Sequence, residues 1–159
     1  MSHDARAVAN EMIMRGLEDD NPLTPLQVIK LTYLCQAWML GMFGDKIFEQ
    51  KVEAWEHGPV VADVYHGVKH FVNQPIDETM PARPAGFSDA ETHILDEVYR
   101  VYGKRSGGAL SGHTHRTGTP WHQTKQEKPV GRRVEISPER IEEYYKGIIE
   151  SDRETTGGL

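Results

Sequence analysis

The 159-residue chain has a single cysteine, Cys35, and no long uninterrupted hydrophobic run. One cysteine excludes an internal disulfide and agrees with a reducing compartment. The longest apolar-rich stretch, residues 31–43, is 13 residues long and contains Gln36 and Gly41, whereas a membrane-spanning helix needs about 20. The first residues show no secretion-signal pattern. We therefore expect a single-domain cytoplasmic protein that makes no membrane contact.

Acidic residues are almost absent from residues 104–133, although the whole chain has a net charge of −6. This stretch, called here the basic segment, has seven basic residues against the one acid Glu127, a net charge of +6. The basic residues are Lys104, Arg105, Arg116, Lys125, Lys128, Arg132 and Arg133. Such asymmetry favours an oriented contact with an anionic partner, protein or nucleic acid. A solvated basic loop is the alternative.

Helix-forming patterns dominate the rest of the chain. Apolar residues recur at helical spacing, and capping boxes at Thr24–Gln27 and Ser88–Glu91 mark two helix starts. The predicted helices cover residues 4–17, 25–42, 59–72, 88–102 and 137–149, with a weak, glycine-interrupted sixth within 106–117. Residues 51–56 and 134–136 are candidate short strands. The sequence thus predicts a mostly α, single compact domain of five to six helices, with a minor antiparallel β element.

Eight histidines raise the alternative of a metal-dependent hydrolase. His66 and His70 are spaced i, i+4 on the predicted helix, which would place both on one face. His113, His115 and His122 follow later in the sequence. The residues between His66 and His70 do not form H-E-x-x-H, and the single cysteine excludes a cysteine-based zinc site. We therefore predict no metal, and we keep the hydrolase as the alternative function.

Templates for covalent or nucleotide chemistry are also missing. Ser111 lies in G-A-L-S-G, which is not the G-x-S-x-G nucleophile elbow. Cys35 lies mid-helix among apolar residues, where a thiol is an inert small hydrophobe. Neither a P-loop nor a G-x-G-x-x-G fingerprint occurs. We therefore predict a protein without enzymatic activity and without a cofactor.

Two short runs have an unusual composition: E-A-W-E-H-G-P-V at residues 53–60 and L-S-G-H-T-H-R-T-G-T-P-W at residues 110–121. Each contains one tryptophan, Trp55 in the first and Trp121 in the second. Large aromatic side chains dominate the packing of a core, and they also anchor protein interfaces. Core packing and an aromatic platform for a partner are therefore both open for these residues.

These two runs, preceded by L-T-P-L-Q-V-I-K-L-T-Y-L-C-Q-A-W at residues 23–38, resemble the Panacea domain of the SocA-like antitoxin family. The resemblance covers roughly residues 5–125, and the order and spacing of three motifs make it fairly specific. The residues that match the second and third motifs are Trp55, His57, Gly58, Pro59, Tyr65, Leu110, Ser111, Thr114, His115, Pro120 and Trp121. The chain departs from the family in having R-T-G-T at residues 116–119, where many members carry an acid.

The resemblance implies a helical domain, which we place over residues 1–150. Residues 151–159, which end in T-T-G-G-L, are expected to form a flexible tail. The resemblance also implies that the protein binds and neutralises a cognate toxin, and that it acts as an adaptor presenting the toxin to ClpX in the ClpXP protease. Some family architectures add a DNA-binding domain for which this chain has no extra length. A DNA-binding regulator is therefore the less favoured second alternative, since a basic patch alone supplies mainly non-specific affinity.

The basic segment is the predicted docking surface for the toxin. Its cations repel one another unless they are solvated or met by an anionic partner. The predicted contact residues are Arg116, Lys125, Lys128, Arg132 and Arg133, with His115 and Trp121 at the edge. If the toxin does not dock there, the loop at residues 53–60 is the next candidate.

Overall fold

The computed structural model describes residues 2–129, 131 and 133–155, and most of these residues are helical. The helices in this part are α1 (Ala5–Glu18), α2 (Pro25–Phe43), α3 (Ala62–Val68), α4 (Asp89–Tyr102), α5 (Gly107–His115), α6 (Pro120–Glu127) and α7 (Pro138–Thr155). The strands are β1 (Val52–Trp55), β2 (Gly58–Val60) and β3 (Glu135–Ile136). The mostly α class with a minor antiparallel element is confirmed, although the described part contains seven α-helices where five to six are predicted.

The three strands form one small antiparallel sheet in the order β2-β1-β3. β1 and β2 are consecutive in the chain and form a hairpin in which Trp55 lies opposite Gly58. β3 joins the other edge of β1, with Ile136 opposite Val52. Both predicted strand regions are therefore present. Through β3, the C-terminal part of the chain is hydrogen-bonded to the hairpin that contains the first tryptophan run.

The two predicted capping boxes start α2 and α4. The Gln27 side chain accepts a hydrogen bond from the Thr24 backbone N–H at 2.8 Å. At the start of α4, Ser88 N–H donates to Glu91 Oε1 at 2.8 Å, and Glu91 N–H donates to Ser88 Oγ at 3.2 Å. These bonds satisfy backbone groups that a helix N-terminus leaves without intrahelical partners.

The predicted helix start at Pro59 is wrong. Pro59 lies inside β2, and α3 begins only at Ala62 and ends at Val68. β2 is an edge strand of the sheet, where a proline is tolerated because its missing N–H faces away from the neighbouring strand. The preference of proline for the first turn of a helix is therefore overridden here by the hairpin.

Helix α6 is not predicted from the sequence, and α7 is longer than predicted. Thr119 caps α6 through its hydroxyl oxygen, which accepts from His122 N–H at 3.4 Å, and Pro120 occupies the first turn. The same Thr-Pro pair starts α2, so the signal was present. α7 continues to Thr155, past the predicted domain limit at residue 150. The rest of the predicted tail, residues 156–159, lies outside the described residues.

Helix α2 is the centre of the fold. It packs against α1, α4, α5 and α7 and is buried on almost every face, as its wide apolar stripe predicts. Gly41 lies inside the helix against α7, and Gly44, which has a φ of 72°, caps its C-terminus. Even so, none of the helices in the described ranges has both the length and the hydrophobicity of a membrane span.

The contact of Gly41 with α7 gives a stability prediction. A Cβ on Gly41 would lie 2.6 Å from Tyr145 Cβ and 3.0 Å from Lys146 N, so Gly41→Ala should lower the free energy of unfolding by about 1–3 kcal/mol through overpacking. The matched control is Gly112→Ala in α5, where no atom lies within 4 Å of the added Cβ. The control should raise stability by up to about 1 kcal/mol.

Urea unfolding followed by circular dichroism measures both changes. Equal stability of Gly41→Ala and the unsubstituted protein would contradict the close packing of α2 on α7.

Candidate functional site

The β1–β2 hairpin is the structural centre of the first tryptophan run. Its turn consists of Glu56 and His57, which are both exposed. Gly58 follows with a φ of 117°. A Cβ at this position would lie 3.0 Å from Lys30 Nζ and 3.4 Å from His115 Cβ. Glycine is required here because the backbone conformation disfavours side chains and the space is occupied.

Three backbone carbonyls of the hairpin accept hydrogen bonds from side chains that lie on helices. Trp121 Nε1–H donates to the Trp55 carbonyl at 2.6 Å. Ser111 Oγ–H donates to the His57 carbonyl at 2.8 Å. The third donor is Lys30, described below. Since each acceptor belongs to the hairpin and the donors belong to α2, α5 and α6, these bonds fix the hairpin against the helical body.

Lys30 on α2 donates from Nζ to the Pro59 carbonyl at 2.9 Å. It is only 1% exposed, and no carboxylate of the described residues lies within 4 Å of its amine. Burial lowers the pKa of Lys30 from 10.5 to about 7 because an ammonium is costly in a poorly solvated site. Lys30 is not among the site residues predicted from sequence, although a lysine between Ile29 and Leu31 on an apolar helix is a detectable signal.

Helix α5 presents the second run to the hairpin. Thr114 is fully buried, and its hydroxyl donates back to the Leu110 carbonyl at 2.9 Å. His115 contacts the Ser111 carbonyl oxygen through Nδ1. The His115 ring also meets Trp121 edge-on, with 5.3 Å between ring centroids. A Cβ at Gly58 would lie 3.4 Å from His115 Cβ and 3.5 Å from Thr114 Oγ1, so α5 packs directly against this glycine.

The two tryptophans have different environments. Trp121 is 3% exposed and belongs to the core, which is one of the two roles left open by its sequence. Trp55 is partly exposed and packs edge-on against Tyr65 at 5.0 Å between centroids. Its Nε1–H donates to Glu53 Oε1 at 2.7 Å. Trp55 is therefore partly accessible at the surface, whereas Trp121 is not.

The two motif runs meet at a single junction, called here the hairpin junction. Its contacts hold the hairpin in place, and no covalent chemistry is needed to account for them. The junction includes the motif residues Trp55, His57, Gly58, Pro59, Tyr65, Leu110, Ser111, Thr114, His115, Pro120 and Trp121. The hydroxyl of Ser111 is committed to the hairpin backbone. Cys35 is fully buried, which raises the pKa of its thiol.

The histidines do not share one site. His66 lies on α3, but that helix ends at Val68, so His70 belongs to the following 3₁₀ turn; the prediction of one α-helical face is wrong. His113 instead packs on Tyr102, and His122 accepts from Gly118 N–H on the exposed side. Within the ranges that the structure describes, no three His, Cys, Asp or Glu side chains are grouped to hold a metal ion.

Two of the predicted docking residues, Lys125 and Arg133, contact residues of the two tryptophan runs. Arg116, Lys125, Lys128 and Arg133 are exposed, whereas Arg132 lies outside the described residues. Lys125 Nζ is 5.2 Å from the centroid of the Trp121 ring. Arg133 N–H donates to Glu53 Oε1 at 3.1 Å, the same oxygen that accepts from Trp55.

The basic segment is not neutralised by its own acid. Glu127 pairs with Arg140 of α7, which lies outside the segment. Among the described residues, no carboxylate lies within 4 Å of the charged groups of Arg116, Lys125, Lys128 or Arg133. Their positive charge is therefore available to an anionic partner.

Lys30 should make stability depend on pH. Between its folded pKa of about 7 and its unfolded value of 10.5, the unfolded chain binds more protons, so the free energy of unfolding rises with pH. We expect a gain of about 1.5 kcal/mol from about pH 7 to about pH 8.5. Lys30→Met should remove this gain, since methionine keeps an unbranched side chain but does not titrate. Urea unfolding over this range measures the difference.

The highest pH of this experiment, about 8.5, stays below 9.0, the pKa of an unperturbed cysteine thiol. Above that pH, ionisation of Cys35 in the unfolded chain would lower the free energy of unfolding and so oppose the rise that Lys30 causes. Parallel stability curves for the two proteins would contradict a lowered pKa at Lys30.

Comparisons with known proteins agree with the motifs. The family model described as "Antitoxin SocA-like, Panacea domain" matches residues 28–122. Antitoxin SocA of Caulobacter vibrioides (strain NA1000 / CB15N) is 30% identical over 135 residues, which cover 76% of this chain and 69% of that protein. No solved structure matches the chain. The chain therefore belongs to the SocA-like antitoxin family defined by the Panacea domain, and this membership supports an antitoxin role.

Proposed function

We propose that this protein is an antitoxin that binds and neutralises one cognate toxin protein. Family membership supports the antitoxin role, and an antitoxin of this kind needs a surface for its toxin. The single observation that carries the proposal is that Arg116, Lys125, Lys128 and Arg133 are exposed and that no carboxylate of the described residues lies within 4 Å of their charged groups. We call the four residues Arg116, Lys125, Lys128 and Arg133 the basic surface. Arg132, the fifth predicted contact residue, lies outside the described residues.

The basic surface favours a toxin with an acidic face. Exposed charges of one sign steer an oppositely charged partner and raise the association rate. They add less to the lifetime of a complex, which depends on buried anchors. Arg133 of the basic surface donates its backbone N–H to Glu53 Oε1, which also accepts from the partly exposed Trp55, so this part of the basic surface adjoins the first tryptophan run.

The proposed activity has no catalytic step. The hydroxyl of Ser111 is used as a donor to the hairpin, and the thiol of Cys35 is buried and holds its proton because burial raises its pKa. Neither group is placed as a nucleophile. The protein would act by occupying the toxin or by delivering it to a protease.

Delivery to ClpXP is the second part of the proposal, and it rests on the family resemblance. An adaptor shortens the lifetime of its cargo, whereas a simple inhibitor leaves the cargo in a stable complex. The test is toxin half-life in cells with and without this protein, in protease-competent and ClpX-deficient strains. Faster loss of toxin that depends on both this protein and ClpX supports delivery, and an unchanged half-life with restored growth indicates neutralisation by binding alone.

The toxin itself is identified by expressing the products of reading frames next to this gene, each alone and each with this protein. The cognate toxin should arrest growth alone and should purify in complex with this protein when growth is restored. If no neighbouring product arrests growth in a manner that this protein relieves, the proposed function is wrong.

Charge reversal of the basic surface should slow toxin capture. Lys128→Glu combined with Arg133→Glu should lower the association rate constant by about tenfold at low ionic strength. The effect should shrink at about 0.15 M salt because screening weakens steering. Surface plasmon resonance with purified toxin measures the rates.

The matched control is Lys46→Glu with Lys51→Glu, a double reversal of two exposed lysines outside the basic segment. Equal association rates for the two double variants would show that the basic surface does not guide docking. Thermal unfolding of each variant confirms that its fold is retained.

A further inference from the structure

A groove of about 200 Å³ lies between α2 and α4, and none of its lining residues belongs to the hairpin. Its floor is formed by Trp38, Ile94, Val98 and Tyr102. The side chains of Met42 and Val101 form its two lips and are 45% and 40% exposed. The residues from α2 and α4 therefore leave an apolar recess open at the surface.

The floor of the groove is fixed and its polar atoms are paired. Trp38 Nε1–H donates to the Tyr102 hydroxyl at 3.2 Å. Ile94 and Val98 are 1% and 2% exposed and belong to the core. A cavity of about 150 Å³ with apolar walls holds a benzene ring, so this groove has room for one large apolar side chain.

One end of the groove is positively charged. The Arg105 guanidinium lies 4.8 Å from the centroid of the Tyr102 ring, and no carboxylate in the described part of the chain lies within 4 Å of it. The His113 ring also packs on the Tyr102 ring, with 5.4 Å between the ring centroids. Burial lowers the pKa of His113, and the charges of Arg116 and Arg105 lower it further. Both arginines therefore act on this end of the groove.

We propose that the groove receives one large apolar side chain of the toxin, while a neighbouring carboxylate of the same toxin segment pairs with Arg105 or Arg116. This inference rests on the proposed function and extends the toxin contact from the basic surface, to which Arg116 belongs, onto α2 and α4. Charge complementarity sets the chemistry of the occupant: an apolar residue flanked by acids on an exposed segment.

A second copy of this chain fits the groove less well. The carboxylate in the groove lining, Glu97, is already paired with Arg100 at 2.7 Å. Two copies that met groove to groove would each bring Arg105 into the interface without a free carboxylate of the groove lining to pair with it, and an unpaired charge at an interface is unfavourable. An acidic partner has no such penalty.

Thiol footprinting tests the proposal with the growth-arresting toxin that purifies in complex with this protein. Cys35 is fully buried, so a maleimide reports on one introduced cysteine. With toxin at about ten times its Kd, alkylation of Val101→Cys should slow about tenfold. The control, Leu17→Cys on α1, replaces a side chain of the same 40% exposure and should react at an unchanged rate.

Affinity measurements with charged substitutions give an independent readout. Val101→Glu should weaken toxin binding by about tenfold or more, mainly by faster dissociation, whereas Leu17→Glu should not. Arg105→Glu should slow association, with an effect that decreases as salt is added. Unchanged thermal unfolding of the three variants shows that loss of binding does not reflect loss of fold.

Each result has a distinct meaning. Equal alkylation of Val101→Cys with and without toxin, in a complex that gel filtration shows to be formed, overturns the groove proposal and leaves the proposed function intact. Failure of the unsubstituted protein to form any complex overturns both. Slower alkylation at higher protein concentration without toxin identifies a second copy as the occupant and also overturns the proposal.

Discussion

The hydrogen bond from the buried amine of Lys30 to the Pro59 carbonyl connects the central helix to the only sheet of the described residues. α2 supports the other long helices on its apolar faces, but apolar packing alone does not orient a three-residue edge strand. A directional donor does. The Lys30 amine lies in a poorly solvated site. Burial lowers its pKa to about 7, so the amine readily loses its proton, and a neutral amine costs less to bury than an ammonium.

The residues that mark the family resemblance mostly face inward. Ser111, Thr114 and Trp121 are buried, and Gly58 is packed under Lys30 and α5. They specify how the hairpin is held rather than what it contacts. The turn residues and the basic surface are exposed beside this scaffold, so partner choice can vary at the surface without disturbing the junction. A family motif of this kind identifies a fold more directly than it identifies a ligand.

Much of the fold could be predicted from sequence because its signals are local. Capping boxes act within four residues, and they located the starts of α2 and α4 correctly. The helix start predicted at Pro59 is wrong because the role of this proline depends on a strand partner that periodicity does not show. Trp121 could not be assigned to core or interface, since its burial depends on a hairpin 66 residues away. The groove between α2 and α4 was likewise invisible, because it is a gap between helices rather than a pattern along one of them.

The three supporting bonds of the hairpin also have a consequence for the order of folding. The hairpin is local in sequence, yet its donors lie 29, 54 and 66 residues from their acceptors. Two of these donors, on α5 and α6, follow the hairpin in the chain, so a growing polypeptide exposes an unsupported hairpin until about residue 121 has been made. Distant contacts of this kind raise the contact order and slow folding. In this protein the hairpin is therefore completed late, by helices that arrive after it.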